Sequence, residues 1–187
     1  MGQYFKKLEG KLVYLSPVDP DDAPIFTRWL ADLEVTKYLT MSHLILSLTS
    51  EKDFLTKMAT GNDNFTIVDA ATDKPLGACG FVGPDPIHRT AEIGIFLGEK
   101  EFWGRGYGTD ALNLLLDFGF NVRNFHNILL RVKAFNVRAI KSYEKAGFRV
   151  IGVRRECDLH GETYGDTVYM DLLAREFQGT LERRLTQ

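Results

Sequence analysis

The sequence predicts an α+β domain around a mixed central sheet, an antiparallel meander followed by β-α-β-α-β-β. Three features point there. Short β-rich runs cluster before residue 98, helical and β-rich stretches alternate after it, and no repeat or Pro/Gly/Ser-rich linker separates two halves. Residues 1–187 are therefore read as a single domain. In chain order, 11–16 (KLVYLS) alternate apolar and polar as a strand, and 17–22 form the turn before a helix over 23–33. In that helix Ile25, Phe26, Trp29, Leu30 and Leu33 recur at helical spacing. A second helix over 50–60 takes Thr49 or Ser50 as its N-cap, sets Phe54, Leu55 and Met58 on one face and ends at Gly61-Asn62. From there the pattern changes to short β-rich runs. Runs 65–68, 76–82 and 91–97 read as the meander, joined by turns at 71–75 and 83–86. A helix over 109–121, a strand over 127–132, a helix over 137–146 and strands near 149–155 and 166–172 complete the order.

Composition removes several classes of function. A 187-residue chain buries roughly 70% of the surface its unfolded form exposes, enough for a sizeable core. Hydrophobic residues at 44% and charged residues at 26% exclude a disordered, collagenous or small disulfide-stapled chain. The net charge of -2 offers no global positive field, so no nucleic-acid partner is expected. Cys79 and Cys157 form no CxxC, and His43, His88, His126 and His160 show no ligand spacing, so no metal and no Cys-His chemistry are expected. No apolar run approaches the roughly 18 residues of a membrane helix, and MGQYFKKLEG lacks the apolar stretch of a signal peptide. Lys6 stands where a myristoylation pattern wants Ser or Thr. The expectation is a cytoplasmic protein with no membrane partner.

The stretch from Ile93 to Ala111 is the most informative. An apolar strand leads through a short connection to Gly104, Gly106 and Gly108 and then to an apolar helix. Glycines let backbone N–H groups approach an anion without Cβ interference, and a helix start attracts it, so the segment suits a phosphate group; Arg105 adds a charge-assisted contact. The same glycines also suit a plain tight turn. A P-loop is excluded because Thr109-Asp110 follow Gly108 with no lysine. Gly106, Gly108 and Ala111 satisfy GxGxx[GA], but Glu99–Trp103 separate the glycines from the strand and Arg131–Ala134 supply no ribose carboxylate, which argues against a dinucleotide.

A second constellation runs from Asn136 to Phe148. It reads as a complete helix, with Asn136 as N-cap, Gly147 as the C′ residue and Phe148 packing back onto Tyr143 or Ile140. On periodicity alone Tyr143 is a core or half-buried aromatic.

Taken together, Phe102–Ala111, Asn136–Phe148, Gly161–Asp166 and Met170 before Leu172-Leu173 resemble the GNAT superfamily of acyl-CoA N-acyltransferases over essentially the whole chain. The likeness is strongest to the branch of ribosomal-protein-alanine and spermidine acetyltransferases. Trp103 stands where the signature [QR]xxGx[GA] has Gln or Arg, a departure that leaves the backbone cradle of 105–109 intact.

The resemblance implies the GNAT fold and an N-acetyltransferase that moves an acetyl group from acetyl-CoA to a primary amine, without metal. The amine is a protein N-terminus, a polyamine or another small amine. It implies that the pantetheine arm lies beside Ile95, Phe96 and Leu97, with a backbone N–H near Leu97 polarising the thioester carbonyl. Trp103, Gly104, Arg105, Gly106, Tyr107, Gly108 and Thr109 would surround the pyrophosphate, Asn136 would bind along the arm, and Tyr143 would protonate the departing thiolate. Glu92 is the candidate base for the amine, against a plain paired or solvated strand residue. Glu162, Tyr164 and Asp166 border the acceptor or form a surface hairpin, and segments 34–48 and 157–166 are expected as loops that set acceptor choice. Homodimers are common in that branch. The alternative reading is a CoA-binding sensor or interaction module without turnover.

Overall fold

The computed structural model describes residues 2–39, 43–160 and 162–179. The chain divides into two compact units, Met1–Gly80 with Gly94–Leu114 and Phe81–Ile93 with Leu115–Gln187.

The first unit holds β1 (Leu8–Glu9), β2 (Val13–Pro17), α1 (Ala23–Ala31), α2 (Leu33–Thr36), α3 (Leu48–Thr60) and β3 (Asn64–Asp69), with the start of β4 (Pro75–Asp85), the end of β5 (Thr90–Leu97) and the start of α4 (Tyr107–Asp117). Its strands are neighbours in the order β1-β2-β3-β4-β5. β1/β2, β2/β3 and β3/β4 pair antiparallel. The Gly98 N–H bonds to the Leu76 carbonyl at 2.8 Å and the next β4 residue, Gly77, lies against Phe96 and Leu97, so β4 advances as β5 recedes and the meander continues antiparallel. Phe26, Trp29 and Leu30 of α1, spaced to share one face, are buried, and Leu55 of α3 joins them. The Phe26 and Trp29 rings lie 5.0 Å apart, and each meets Phe96 edge-on at 6.2 Å. Gly98 makes room for this cluster: a Cβ there would collide with the Trp29 indole.

The second unit holds the end of β4, the start of β5, the end of α4, β6 (Asn127–Lys133), α5 (Val137–Lys145), β7 (Arg149–His160) and β8 (Thr163–Leu173). Its strand order is β4-β5-β6-β8-β7. β5 and β6 run parallel over Thr90–Glu92 and Asn127–Leu129, whereas β8 pairs antiparallel with both β6 and β7. A parallel pair needs a long crossover, and α4 lies in the chain between them. The sheet is thus mixed and the domain class α+β, as the sequence predicts.

Several boundaries differ from the sequence reading. The helix expected over 109–121 is α4, followed by a π-turn over Phe118–Val122 that buries Phe118, Gly119 and Phe120 together. Glycine lets this turn pack closely, because a Cβ on Gly119 would come within 2.8 Å of the Ile128 side chain and 3.0 Å of the Phe81 ring, which would have to shift. The N-cap of α3 is Ser47, which forms a reciprocal capping box with Ser50, so the helix starts earlier than Thr49 or Ser50 implied. Segment 157–166, expected as a loop, lies mostly in β7 and β8; Gly161, like Thr40–Ser42 of segment 34–48, is outside the described residues. The short β1 and α2 carry too few residues to show a period.

Gly98→Ala is expected to lower the unfolding free energy by about 1–3 kcal/mol through overpacking against Trp29, read from the urea midpoint at constant slope.

Candidate functional site

The part of β5 in the first unit ends that unit's sheet, with β4 on one side only. Backbone groups alternate in direction along a strand. Gly98 N–H bonds to β4, and the Phe96 carbonyl oxygen occupies the place where a Cβ on Gly77 would stand. Even-numbered residues therefore face β4, and the N–H and C=O groups of Ile95 and Leu97 face the opposite edge. The Trp103 indole confirms that direction by donating to the Leu97 carbonyl at 2.9 Å. Gly94, on the same stretch, has nothing within 4 Å of where a Cβ would stand.

A short 3-10 turn over Lys100–Phe102 leads from this strand to the glycines. Gly104 and Gly106 adopt φ of +71° and +91°, in the left-handed region that favours glycine, and open space lies over Gly104. The chain then enters α4, whose first intrahelical bond of this turn runs from Asp110 N–H to the Gly106 carbonyl at 2.9 Å. By helix geometry the N–H groups of the first turn point toward the helix start, the end that follows the glycine loop. The Asp110 carboxylate does not cap them. It accepts from the backbone N–H groups of Leu12 and Val13 at 2.7 and 3.1 Å, tying the helix start to the entry of β2. Tyr107 stands edge-on to Phe102 at 4.8 Å, and the exposed Arg105 guanidinium donates to the Glu101 carbonyl at 3.3 Å.

The second unit holds Glu92, Asn136 and Tyr143. Asn136 caps α5 by accepting from Ala139 N–H at 3.2 Å. At the other end the Phe148 N–H bonds to the Tyr143 carbonyl and the Gly147 N–H to that of Glu144, both at 3.0 Å, with Gly147 at φ +103°. This is the Schellman ending expected from the sequence, and the Phe148 ring packs against Tyr143 at 6.0 Å. Tyr143 keeps a partly exposed edge, but surrounding protein atoms desolvate its hydroxyl and push it up to about 12, so the phenol is protonated at neutral pH. Glu92 accepts from Arg131 Nε at 2.7 Å across β5 and β6, which holds the guanidinium more firmly in its charged form. Asp166 accepts from Glu156 N–H at 2.9 Å within the β7 bulge, while Glu162 and Tyr164 are exposed.

The sequence matches the family described as Acetyltransferase (GNAT) domain over residues 13–149, most of the chain. The chain belongs to this family. It is 29% identical over 170 residues to an uncharacterized N-acetyltransferase p20 of Bacillus licheniformis, spanning 88% of this chain and 94% of that protein. It is 33% identical over 82 residues to a spermidine N(1)-acetyltransferase of Vibrio cholerae, a match spanning 44% of this chain and 47% of that enzyme. Among solved structures, a GNAT-family acetyltransferase from Bacillus anthracis superposes with a TM-score of 0.79 at 22% identity, covering 90% of this chain and 99% of that one. The spermidine N-acetyltransferase of Vibrio cholerae in complex with CoA and spermine gives 0.79 at 24% identity, covering 88% and 97%. These likenesses establish the GNAT fold, and membership of the family makes the chain an acyltransferase enzyme.

In this GNAT acetyltransferase the first unit gathers Ile95–Leu97 and Trp103–Thr109 around one strand end, and the second sets Asn136 and Tyr143 on one helix. The sequence reading missed what Asp110 does, since it entered only as the residue that is not a P-loop lysine. It placed Trp103 around the pyrophosphate but did not foresee that its side chain turns back onto the strand. The Trp103 indole fastens Leu97 and meets Tyr38 edge-on at 6.2 Å. Among the described residues no group of three His, Cys, Asp or Glu is arranged to hold a metal, and no helix is long and apolar enough to cross a membrane.

Asp110→Ala leaves the Leu12 and Val13 N–H groups without their acceptor and is expected to cost about 1–3 kcal/mol in chemical denaturation. Asp110→Asn, which keeps an acceptor oxygen, recovers part of that loss.

Proposed function

We propose that the chain, acting as one acetyltransferase domain, transfers an acetyl group from acetyl-CoA to a primary amine by direct attack in a ternary complex. The observation that carries this reading is the open edge of β5 running directly into left-handed glycines and a helix start. An extended arm bearing amides pairs with the edge groups of Ile95 and Leu97, and Phe96 backs that strand from the aromatic cluster. A diphosphate fits the loop, because Gly104 and Gly106 expose backbone without Cβ atoms and the first-turn N–H groups of Tyr107, Gly108 and Thr109 supply donors and a partial positive charge. Arg105 neutralises part of the phosphate charge, while Trp103 orients the strand end rather than the phosphates.

Acetyl-CoA supplies an activated thioester. The amine nitrogen forms a bond to the acyl carbon, the carbon–sulfur bond breaks, the sulfur gains a proton and the nitrogen loses one. The Leu97 N–H polarises the carbonyl oxygen as charge grows on it; fixed by Trp103 on the same residue, it needs no reorganisation. Tyr143, protonated with a hydroxyl pushed up to about 12, donates to the sulfur as it departs. Asn136 contacts the arm with the capacity left after capping α5. The attacking amine must be neutral, and an ordinary lysine-like amine is free base in only about one molecule in 2,500 at pH 7. Glu92 is assigned to receive its proton through water, one carboxylate oxygen being engaged by Arg131.

The acceptor class is a polyamine, a protein N-terminus or another small amine. The names of the spermidine-acetylating relatives support including polyamines. A reducing cytoplasmic setting belongs to the same reading and is supported by Cys79 and Cys157 both being free thiols.

The test is thiol release and product mass with a panel of spermidine, N-terminal peptides and amino sugars. Turnover with one class supports the proposal; silence with every amine despite tight acetyl-CoA binding contradicts it in favour of a CoA-binding sensor. Tyr143→Phe is expected to lower kcat by about 10²–10⁴ with acetyl-CoA affinity within about twofold. For Glu92→Gln the basic limb of the kcat/KM profile should be lost, and an unchanged limb removes Glu92 from the proton route.

A further inference from the structure

Beyond the residues assigned to the reaction, the first unit contains a charged cluster that the proposed chemistry does not use. Glu99 stands two residues beyond the end of β5 and is 7% exposed. Its Oε1 accepts from the Trp29 indole at 2.8 Å and pairs with Arg28, and its Oε2 pairs with Lys74 at 3.1 Å. Burial pushes the Glu99 carboxyl up, but the Trp29 donor and the Lys74 and Arg28 cations outweigh it and hold the group below its ordinary range. Lys74, in the turn between β3 and β4, also pairs with Glu101 at 2.6 Å and lies 5.4 Å from the Phe102 ring centre. Between these, Lys100 pairs with Asp32 at 2.7 Å and with Glu34 at 2.8 Å. Every residue from Glu99 to Phe102 is thereby fastened by its side chain to α1, α2 or the β3–β4 turn, and Arg105 in turn donates to the Glu101 carbonyl.

A surface pair contributes little, but Glu99 is buried, so losing Lys74 weakens the compensation of a carboxylate that water reaches poorly, with Arg28 and the Trp29 indole left to hold it. The carboxylate is also multiply held: three donors from α1 and the β3–β4 turn converge on one residue at the point where the strand stops and the loop begins. A cleft of about 410 Å³ lined by Arg28, Trp29, Lys74, Glu99, Lys100 and Glu101 lies over the cluster.

We infer that Lys74 and Glu99 are positioning residues for acetyl-CoA, a staple that fixes where the glycine loop begins relative to the β5 edge. The inference rests on the proposed use of that edge and loop. Neither side chain touches the reacting atoms. Their effect is on the geometry in which Gly104–Thr109 meet the diphosphate, so it falls on acetyl-CoA binding and not on the chemical step.

The experiment compares Glu99→Gln and Lys74→Met with Lys52→Met, which removes a surface ion pair to Asp21 in the same unit. Acetyl-CoA KM, kcat and backbone hydrogen exchange over residues 99–109 are measured on each folded variant. The expected result is a rise in acetyl-CoA KM of about tenfold, equivalent to about 1.4 kcal/mol, for Glu99→Gln and Lys74→Met, with kcat at saturation within about twofold. Exchange over 99–109 is faster in both, without acetyl-CoA present. Lys52→Met changes neither. Unchanged KM and unchanged exchange in the two variants overturn the inference, as does an equal fall in kcat and kcat/KM. Should the wild type bind no acetyl-CoA, the proposed function fails; the exchange data then still decide whether the staple orders the loop, and unchanged exchange overturns it. Lys74→Arg, which keeps the charge, is expected to retain most of the wild-type KM, and a variant that unfolds is replaced by Lys74→Gln, for which a raised KM and faster exchange are expected and unchanged values overturn the inference.

Discussion

Strand β5 can hydrogen-bond along two edges, and the rest of the arrangement follows from how those edges are used. Toward β4 the edge is filled, with Gly98 N–H on the Leu76 carbonyl and Phe96 against Gly77. On the other side, the parallel ladder with β6 covers only Thr90–Glu92. The odd-numbered residues beyond it, Ile95 and Leu97, present backbone groups to an edge that their own unit does not fill. An unfilled edge attracts other strands, and native proteins keep such edges short or bent away. Here the exposed length is about two residue pairs before the 3-10 turn and the glycines redirect the chain.

That redirection is held by interactions drawn from distant parts of the sequence. Asp110 takes the N–H groups of Leu12 and Val13, about a hundred residues earlier in the chain, and the Trp103 indole returns to Leu97. Glu99 gathers Arg28, Trp29 and Lys74. Each contact lets a loop rich in glycine, which loses more conformational entropy on ordering than any other residue type, hold one geometry. Helix α5 is stabilised differently. The Asn136 cap and the Gly147 Schellman ending are local, and they fix Tyr143 without long-range partners.

This contrast explains what was legible in the sequence. The α5 cap, its glycine ending and the Phe148–Tyr143 contact obey rules that operate within one helical turn, so residues 136–148 revealed them directly. The strands of the meander were equally readable as short β-rich runs between turns, and the glycine loop from its composition. What stayed hidden depended on partners far apart in the chain. The Ser47 capping box, the π-turn at Phe118–Val122 and the short α2 answer to packing or to a serine pair rather than to a periodic pattern. Asp110, Trp103 and Glu99 look like ordinary residues until the fold supplies their partners. Roles assigned by resemblance, such as that of Glu92, go beyond both: its ion pair with Arg131 is a structural fact, while proton transfer requires a reaction to observe.

The central claim is that the β5 edge and the glycine loop recognise an acyl-CoA. Calorimetric titration of the purified protein with acetyl-CoA, with CoA, NADH and ATP under identical salt, tests it most directly. The account predicts saturable binding of acetyl-CoA and CoA, weaker or absent binding of the nucleotides, and loss of acetyl-CoA binding in folded Gly106→Val, because the backbone of a β-branched residue is strained at the φ of +91° found there. Failure of acetyl-CoA to bind, or undiminished affinity in folded Gly106→Val, would contradict it.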